Sequence, residues 1–104
     1  MKKITMNIET AIIEELKKLQ SGPICQKVRF EVEEIGSFVF SGNEVLASYE
    51  TRECTLIASL DTFKGLLRGR LNPTLIYMNG ELKIKGDVAI AMQLGRYLGN
   101  INKN

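Results

Sequence analysis

The side chains with a claim to covalent chemistry are two thiols, Cys25 and Cys54, in a chain that contains no histidine. A thiol attacks as its thiolate, and Cys54, in an apolar run where a buried thiol is unreactive, has no base placed beside it. Without histidine, a Ser-His-Asp triad and any histidine-containing zinc site are excluded, and two cysteines cannot build a four-cysteine site. GLLRGR, from Gly65 to Arg70, has the wrong glycine spacing for a phosphate loop or a dinucleotide fingerprint, and no strand–turn–helix order surrounds it. No catalytic residue, metal or cofactor is therefore expected. What remains for function is noncovalent: apolar side chains that could line a cavity, and basic ones that could meet an anion.

The elements that must position these residues fit in one domain of 104 residues, 44% apolar and 25% charged. A net charge of +2 does not by itself point to nucleic acid, there is no dense basic face, and Tyr49, Tyr77 and Tyr97 do not form a stacking motif. No apolar run is long enough to span a membrane, and the N-terminus lacks the pattern of a signal peptide. The expectation is a cytoplasmic protein in which both cysteines are reduced and buried.

Ile8, Ile12, Leu16 and Leu19 recur at helical spacing among Glu9, Glu14, Glu15, Lys17 and Lys18, which predicts an amphipathic helix from Asn7 to Gln20, stopped by Ser21-Gly22-Pro23. From Gln26 to Glu33, charges at Lys27, Arg29, Glu31 and Glu33 alternate with Val28, Phe30 and Val32, a strand with one wet face. Turns at Ile35-Gly36-Ser37 and Ser41-Gly42-Asn43 lead into Phe38-Val39-Phe40 and then Val45 to Glu50, which completes a three-stranded meander. CTLIASL, Cys54 to Leu60, is apolar enough to lie inside the sheet. Asp61 is then expected to cap a helix with Phe63, Leu66 and Leu67 on one stripe and Lys64, Arg68 and Arg70 on the other.

The stretch LNPTLIYMNGELKIKGD, residues 71–87, carries the densest local instructions. Asn72-Pro73 starts a short helix, because the Asn side chain accepts from an orphan N–H and Pro needs no donor at the first position. Asn79-Gly80 ends it. Glu81 to Lys85 alternates strictly, placing Leu82 and Ile84 inward, and Gly86-Asp87 bends the chain and caps a last helix beginning at Val88. The order α-β-β-β-β-α-α-β-α predicts an α+β domain, one mainly antiparallel sheet with helices packed on one face. In the last helix Val88, Ile90, Met92, Leu94, Tyr97 and Leu98 spread around most of the circumference. A lipid pocket, a partner subunit such as a second copy, or ordinary burial could each cover them.

The order from Cys54 to Leu98 closely resembles the second half of the sterol carrier protein 2 family. The resemblance is carried by Leu71-Asn72-Pro73, by Met78 with Gly80, by Leu82-Lys83-Ile84-Lys85-Gly86-Asp87 and by the Ala-Met-X-Leu run from Ala91 to Leu94. Each element alone is common, and their joint spacing is specific. The first half matches in element order more than in residues.

The resemblance implies a five-stranded sheet, a hydrophobic tunnel between sheet and helices, and noncovalent carriage of a fatty acid, acyl-CoA, sterol-like or isoprenoid lipid. Candidate tunnel residues are Phe63, Leu66, Leu67, Ile76, Met78, Ile90, Met92, Leu94 and Leu98, with Phe30, Phe38 and Phe40 as a floor. Each has plain core packing as its alternative. Lys64, Arg68 and Arg70 are candidates for contact with lipid headgroups or an anionic membrane, with simple solvation of the surface as the alternative. The tail Ile101-Asn102-Lys103-Asn104 lacks the Ser-Lys-Leu signal of some relatives, again favouring the cytoplasm. The competing function is an accessory or dimerisation module for a lipid-metabolising enzyme, with the last helix as its interface and no transport role of its own.

Overall fold

The computed structural model describes residues 2–19 and 22–102, with side chains from residue 8 onward. Helix α1 (Lys2–Lys17) is followed by a 3-10 turn (Pro23–Lys27), and strands β1 (Val28–Val32), β2 (Gly36–Ser41), β3 (Glu44–Ala47) and β4 (Cys54–Ala58). Helices α2 (Leu60–Leu67) and α3 (Pro73–Met78), strand β5 (Lys83–Gly86) and helix α4 (Val88–Ile101) complete the chain. Helix α1 therefore starts five residues before the expected Asn7 and ends at Lys17, with Lys18 and Leu19 already in a turn, and Gln20 and Ser21 lie outside the described residues.

The five strands form one sheet in the order β3-β2-β1-β4-β5. Three of its pairings are antiparallel, and β1 with β4 is parallel, Val28 opposite Cys54 and Val32 opposite Ala58. The α+β reading with a mainly antiparallel sheet holds, as do the meander and the interior position of β4.

The parallel pairing explains why β3 is shorter than the expected Val45–Glu50. Because β3 and β4 run in the same direction on either side of the β2–β1 pair, residues 48–53 must cross three strand spacings, roughly 14 Å. They do so over the face of the sheet opposite the helices. The Tyr49 ring lies 5.6 Å from the Arg29 guanidinium carbon, and Arg52 donates from Nη2 to the Phe40 carbonyl at 3.0 Å. Val39 is fully buried, yet it lies outside the main core cluster.

Other boundaries shift for local reasons. Gln26 and Lys27 belong to the 3-10 turn rather than to β1, and the Gln26 side chain instead bonds both backbone groups of Gly42, at 3.0 and 3.2 Å, which pins the β2–β3 turn. Ser59, not Asp61, caps α2: its Oγ accepts from Thr62 N at 3.2 Å, while Asp61 sits in the first turn. Both residue types cap well, and the earlier one takes the role because β4 ends at Ala58 and the chain turns there.

The caps and turns expected in residues 71–87 are present, but the last strand starts at Lys83 rather than Glu81 and runs through Gly86. Asn72 Oδ1 accepts from Thr74 N at 2.8 Å and from Leu75 N at 3.4 Å. Asp87 Oδ1 accepts from Ala89 N at 2.9 Å. Gly86 has φ +94°, and a Cβ there would lie 2.4 Å from the Glu53 carbonyl oxygen, so only glycine lets β5 approach the start of β4 this closely.

The core lies between the sheet and the helices. Phe30 is its centre, meeting Phe40 and Phe63 edge to face at centroid distances of 6.1 and 6.0 Å and so tying β1 to β2 and to α2. Helix α4 buries Ile90, Ala91, Leu94 and Leu98 along one face, and Met92 and Tyr97 are partly covered. Ordinary burial therefore accounts for most of its apolar surface. Tyr97 Oη donates to the Leu19 carbonyl, and Asn102 Nδ2 donates to the Leu67 carbonyl at 3.0 Å, so α4 holds the C-terminal ends of both α1 and α2.

Candidate functional site

Helices α1 and α2 do not close on each other over β1. Between them lies a cavity of about 340 Å³. From α1 come Ile8, Ala11, Ile12 and Leu16, from α2 Leu60, Phe63 and Leu67, and from β1 Phe30 and Val32. The geometry follows from spacing: Ile8, Ala11, Ile12 and Leu16 share one helical face, Leu60, Phe63 and Leu67 another, and Phe30 and Val32 point to the same side of a strand. The small side chain of Ala11 leaves room where a larger residue would fill the gap.

Charged atoms occur at the rim, from Glu15, Lys64 and Arg68. Arg68 donates from Nε to Glu15 Oε2 at 3.0 Å, and Lys18 Nζ lies 3.6 Å from Glu15 Oε1. The Arg68 hydrogen bond is the main cause that holds the Glu15 carboxyl below its ordinary pKa, and it outweighs the opposing effect of partial burial. The Glu15 carboxylate is therefore ionised at neutral pH, beside walls that are almost wholly apolar.

The residues singled out from the sequence divide among several places. Phe63 and Leu67 are on the cavity wall, with Lys64 and Arg68 at its rim. Leu66 faces the other side of α2 and, with Leu98, borders a shallow cleft beside Leu71, Pro73 and Gly95. Ile76, Ile90 and Leu94 are buried in the shared core away from the cavity, as are Phe38 and Phe40, whereas Phe30 does form the cavity floor. Met92 is partly buried, its sulfur accepting from Thr74 Oγ1 at 3.4 Å. Met78 is 74% exposed, because α3 is too short to bury more than its Ile76 face. Arg70 lies beyond the rim, in an adjoining cleft.

The contribution of α1 went unforeseen as a wall. Its signal was present in the Ile8-Ile12-Leu16 stripe with Ala11 between, but the stripe reads equally as core.

The thiols are placed for packing. Cys25 and Cys54 are fully buried and unpaired, and burial pushes both up to about 11, helped at Cys54 by the Asp87 charge. Among the described residues no group of acidic, cysteine or histidine side chains is arranged to hold a metal, and no helix is long and apolar enough to cross a membrane.

Residues 8–99 match the family model described as the SCP-2 sterol transfer family. The chain belongs to this family. The SCP-2 domain is 39% identical over 49 residues to hydroxysteroid dehydrogenase-like protein 2 of Xenopus tropicalis, a match covering 45% of this chain and 12% of that protein. The domain thus spans only about a tenth of the length of the curated relatives it matches. Among solved structures it is similar to sterol carrier protein 2 of Aedes aegypti in complex with palmitate, with a TM-score of 0.67 and 14% identity over 84% of this chain and 90% of that one. It is also similar to a UbiJ-SCP2 ubiquinone synthesis protein, with a TM-score of 0.61 and 24% identity over 97% and 93% of the two chains. At these identities the likeness is one of fold.

Proposed function

We propose that this SCP-2 domain binds the apolar chain of a lipid in the cavity between α1, α2 and β1, and carries it without altering it chemically. The observation that supports this most directly is the cavity itself: nine apolar side chains around about 340 Å³, with charge confined to the rim. That volume is at the lower end of the range for small-molecule sites. At roughly 30 Å³ for each water-sized group, it accommodates on the order of ten methylenes. Each contributes about 0.8 kcal/mol when taken out of water, which gives a gross gain of about 8 kcal/mol and dissociation constants in the micromolar range or weaker after ordering costs.

Selectivity along the tail should be broad, because aliphatic walls read area rather than functional groups. The palmitate complex of the Aedes aegypti protein lends support by analogy of fold. A non-catalytic role is supported by the two thiols, both protonated at neutral pH and buried away from the cavity.

A second reading has one observation in its favour. In hydroxysteroid dehydrogenase-like protein 2 of Xenopus tropicalis the matching segment is a small fraction of a much longer chain, which suits an accessory module of an enzyme with no transport role of its own. The dimer form of that reading is weakened, since Leu94 and Leu98 are each 1% exposed and serve the core of a single chain.

The test is native mass spectrometry of the purified protein, followed by displacement of a fluorescent fatty acid with C10 to C16 acids, alcohols and sterols. Co-purifying lipid or displacement in the micromolar range supports carriage. Apo protein only, with no displacement by any of them, would sink it.

A further inference from the structure

Asn79 and Gly80, at the end of α3, are placed to react with each other. Asn79 is the only asparagine in the chain that glycine follows. In such a pair the glycine amide nitrogen attacks the side-chain carbonyl carbon of the asparagine, because no side chain on the attacking residue crowds the approach. The new N–C bond closes a succinimide ring, the Cγ–Nδ2 bond breaks, and the amide leaves as ammonia with the proton given up by the glycine nitrogen. Water then opens the ring at either carbonyl. One product is aspartate, and the other is isoaspartate, in which the main chain runs through the former side chain.

The fold leaves this pair open to the reaction. Both residues are exposed, and the Asn79 side-chain amide has no hydrogen-bond partner among the described residues. Apart from chain neighbours, no heavy atom lies within 4 Å of where a Cβ on Gly80 would stand, which leaves room for the ring and for the entering water. One bond opposes closure: the Gly80 N–H donates to the Tyr77 carbonyl at 3.2 Å, at the long end of the range. That bond belongs to the last turn of a six-residue helix, and helix ends this short fray and free the nucleophile.

Other asparagines are held back. Pro73 has no N–H with which to attack Asn72, whose Oδ1 is already engaged by Thr74 N and Leu75 N. Asn100 precedes β-branched Ile101 within α4, and Asn102 commits Nδ2 to the Leu67 and Leu98 carbonyls.

The position also decides what the reaction would do. Glu81 N and Leu82 N both donate to the Ile76 carbonyl, at 2.9 and 3.0 Å, so the turn through Asn79 and Gly80 closes between two buried anchors, Ile76 and Leu82. Isoaspartate adds a methylene to the main chain inside that span. Either product places a carboxylate at the C-terminal end of α3, where the helix dipole is negative.

We propose that Asn79-Gly80 is a site of spontaneous succinimide formation in the folded chain, and that its isoaspartyl product loosens the turn between α3 and β5. The site is independent of the ligand reading above, since α3 does not line the cavity.

Ageing the full folded chain at pH 8 and 37 °C, beside the same chain in guanidinium chloride, tests this. Peptide mass spectrometry reads the exchange of NH2 for OH at each asparagine, and an isoaspartyl methyltransferase with labelled S-adenosylmethionine counts the isoaspartate. In the folded chain Asn79 should convert at least tenfold faster than any other asparagine, at a rate within about tenfold of that in guanidinium chloride. Asn79→Gln alters an exposed side chain without a partner, and it should fold normally and lose the methyl-acceptor signal. After ageing, the parent should show a second, lower-melting population that is missing from aged Asn79→Gln.

Asn79 intact in the folded chain but converted in guanidinium chloride would overturn the proposal, because the Tyr77 bond would then be protective. Equal conversion across the asparagines would overturn it in favour of general ageing. A methyl-acceptor signal retained by Asn79→Gln would place the isoaspartate elsewhere. Conversion at Asn79 with a single, unshifted melt would overturn the loosening of the turn and leave the modification site standing.

Discussion

Arg68, which caps the C-terminus of α2, reaches across to Glu15 on α1 with an Nε–Oε2 distance of 3.0 Å, the one ion pair among the described residues that ties these two helices together. It spans the rim of the cavity rather than its floor, so it links the walls where they are otherwise free to part. Arg68 is 47% exposed at the side chain, and an ion pair this wet contributes less than about 1 kcal/mol. Its pH dependence has a definite sign. Because the folded carboxyl is held below its ordinary pKa, the contribution is present above the unfolded value, about 4.3, and is lost as pH falls through the folded one. Glu15→Gln should therefore be slightly less stable than the parent at pH 7, with the gap closing below about pH 4. Urea unfolding of both proteins from pH 3 to 7 checks this, and a gap that widens in acid would contradict the pairing.

Filling the cavity should separate binding from folding. Ala11 borders the cavity from α1, and its side chain is exposed. Ala11→Phe should occupy much of the space at a stability cost under about 1 kcal/mol, since the helix loses only modest propensity. Binding of a twelve-carbon acid should weaken at least tenfold, read by displacement of a fluorescent fatty acid. Unchanged affinity in a folded variant would place the tail elsewhere.

Two glycines on α4 should respond in opposite directions. A Cβ on Gly95 would lie 2.3 Å from Pro73 Cγ, so α3 rides directly on the helix backbone there. A proline ring cannot rotate away, and Gly95→Ala should cost about 1–3 kcal/mol as the two helices separate. Gly99 has no heavy atom within 4 Å of where a Cβ would stand, and Gly99→Ala should gain about 0.5 kcal/mol through helix propensity. Thermal melts of the pair decide both, and a stable Gly95→Ala would mean that α3 is loosely held.

The local punctuation of the chain was legible because each signal acts over a few residues. Asn72, Gly80, Gly86 and Asp87 all do what their side chains or lack of one dictate. Residue type alone places the cap of α2 two residues late, at Asp61, since Ser59 and Asp61 are equivalent as cap types and the choice depends on where β4 stops. The cavity was legible only in part. Phe63 and Leu67 sat on a recognisable stripe, but whether that stripe met α4 or α1 depends on how helices far apart in sequence pack on one sheet. Periodicity shows that a face is apolar and not what it faces. Met78 shows the same limit in reverse, an apolar residue left in solvent because its helix is only six residues long.

Burial of Cys25 and Cys54 makes the fold less stable in alkali. Each is fully buried, and each thiol is pushed from 9.0 up to about 11, chiefly because the thiolate would lose its hydration in the core. The folded state thus favours the protonated form more than the unfolded chain does. The stabilisation is complete below the unfolded pKa and is lost as pH rises from about 9 toward 11, by up to about 2 kcal/mol per thiol. Replacing both with alanine costs packing at pH 7, but it should flatten the decline in stability between pH 8 and 10.5 relative to the parent. In the native parent at pH 8, labelling by a disulfide reagent should proceed at the rate of unfolding, and adding denaturant should expose both thiols together. Rapid native labelling of either cysteine would show that its side of the core opens without global unfolding, and would reopen the question of whether that thiol takes part in chemistry.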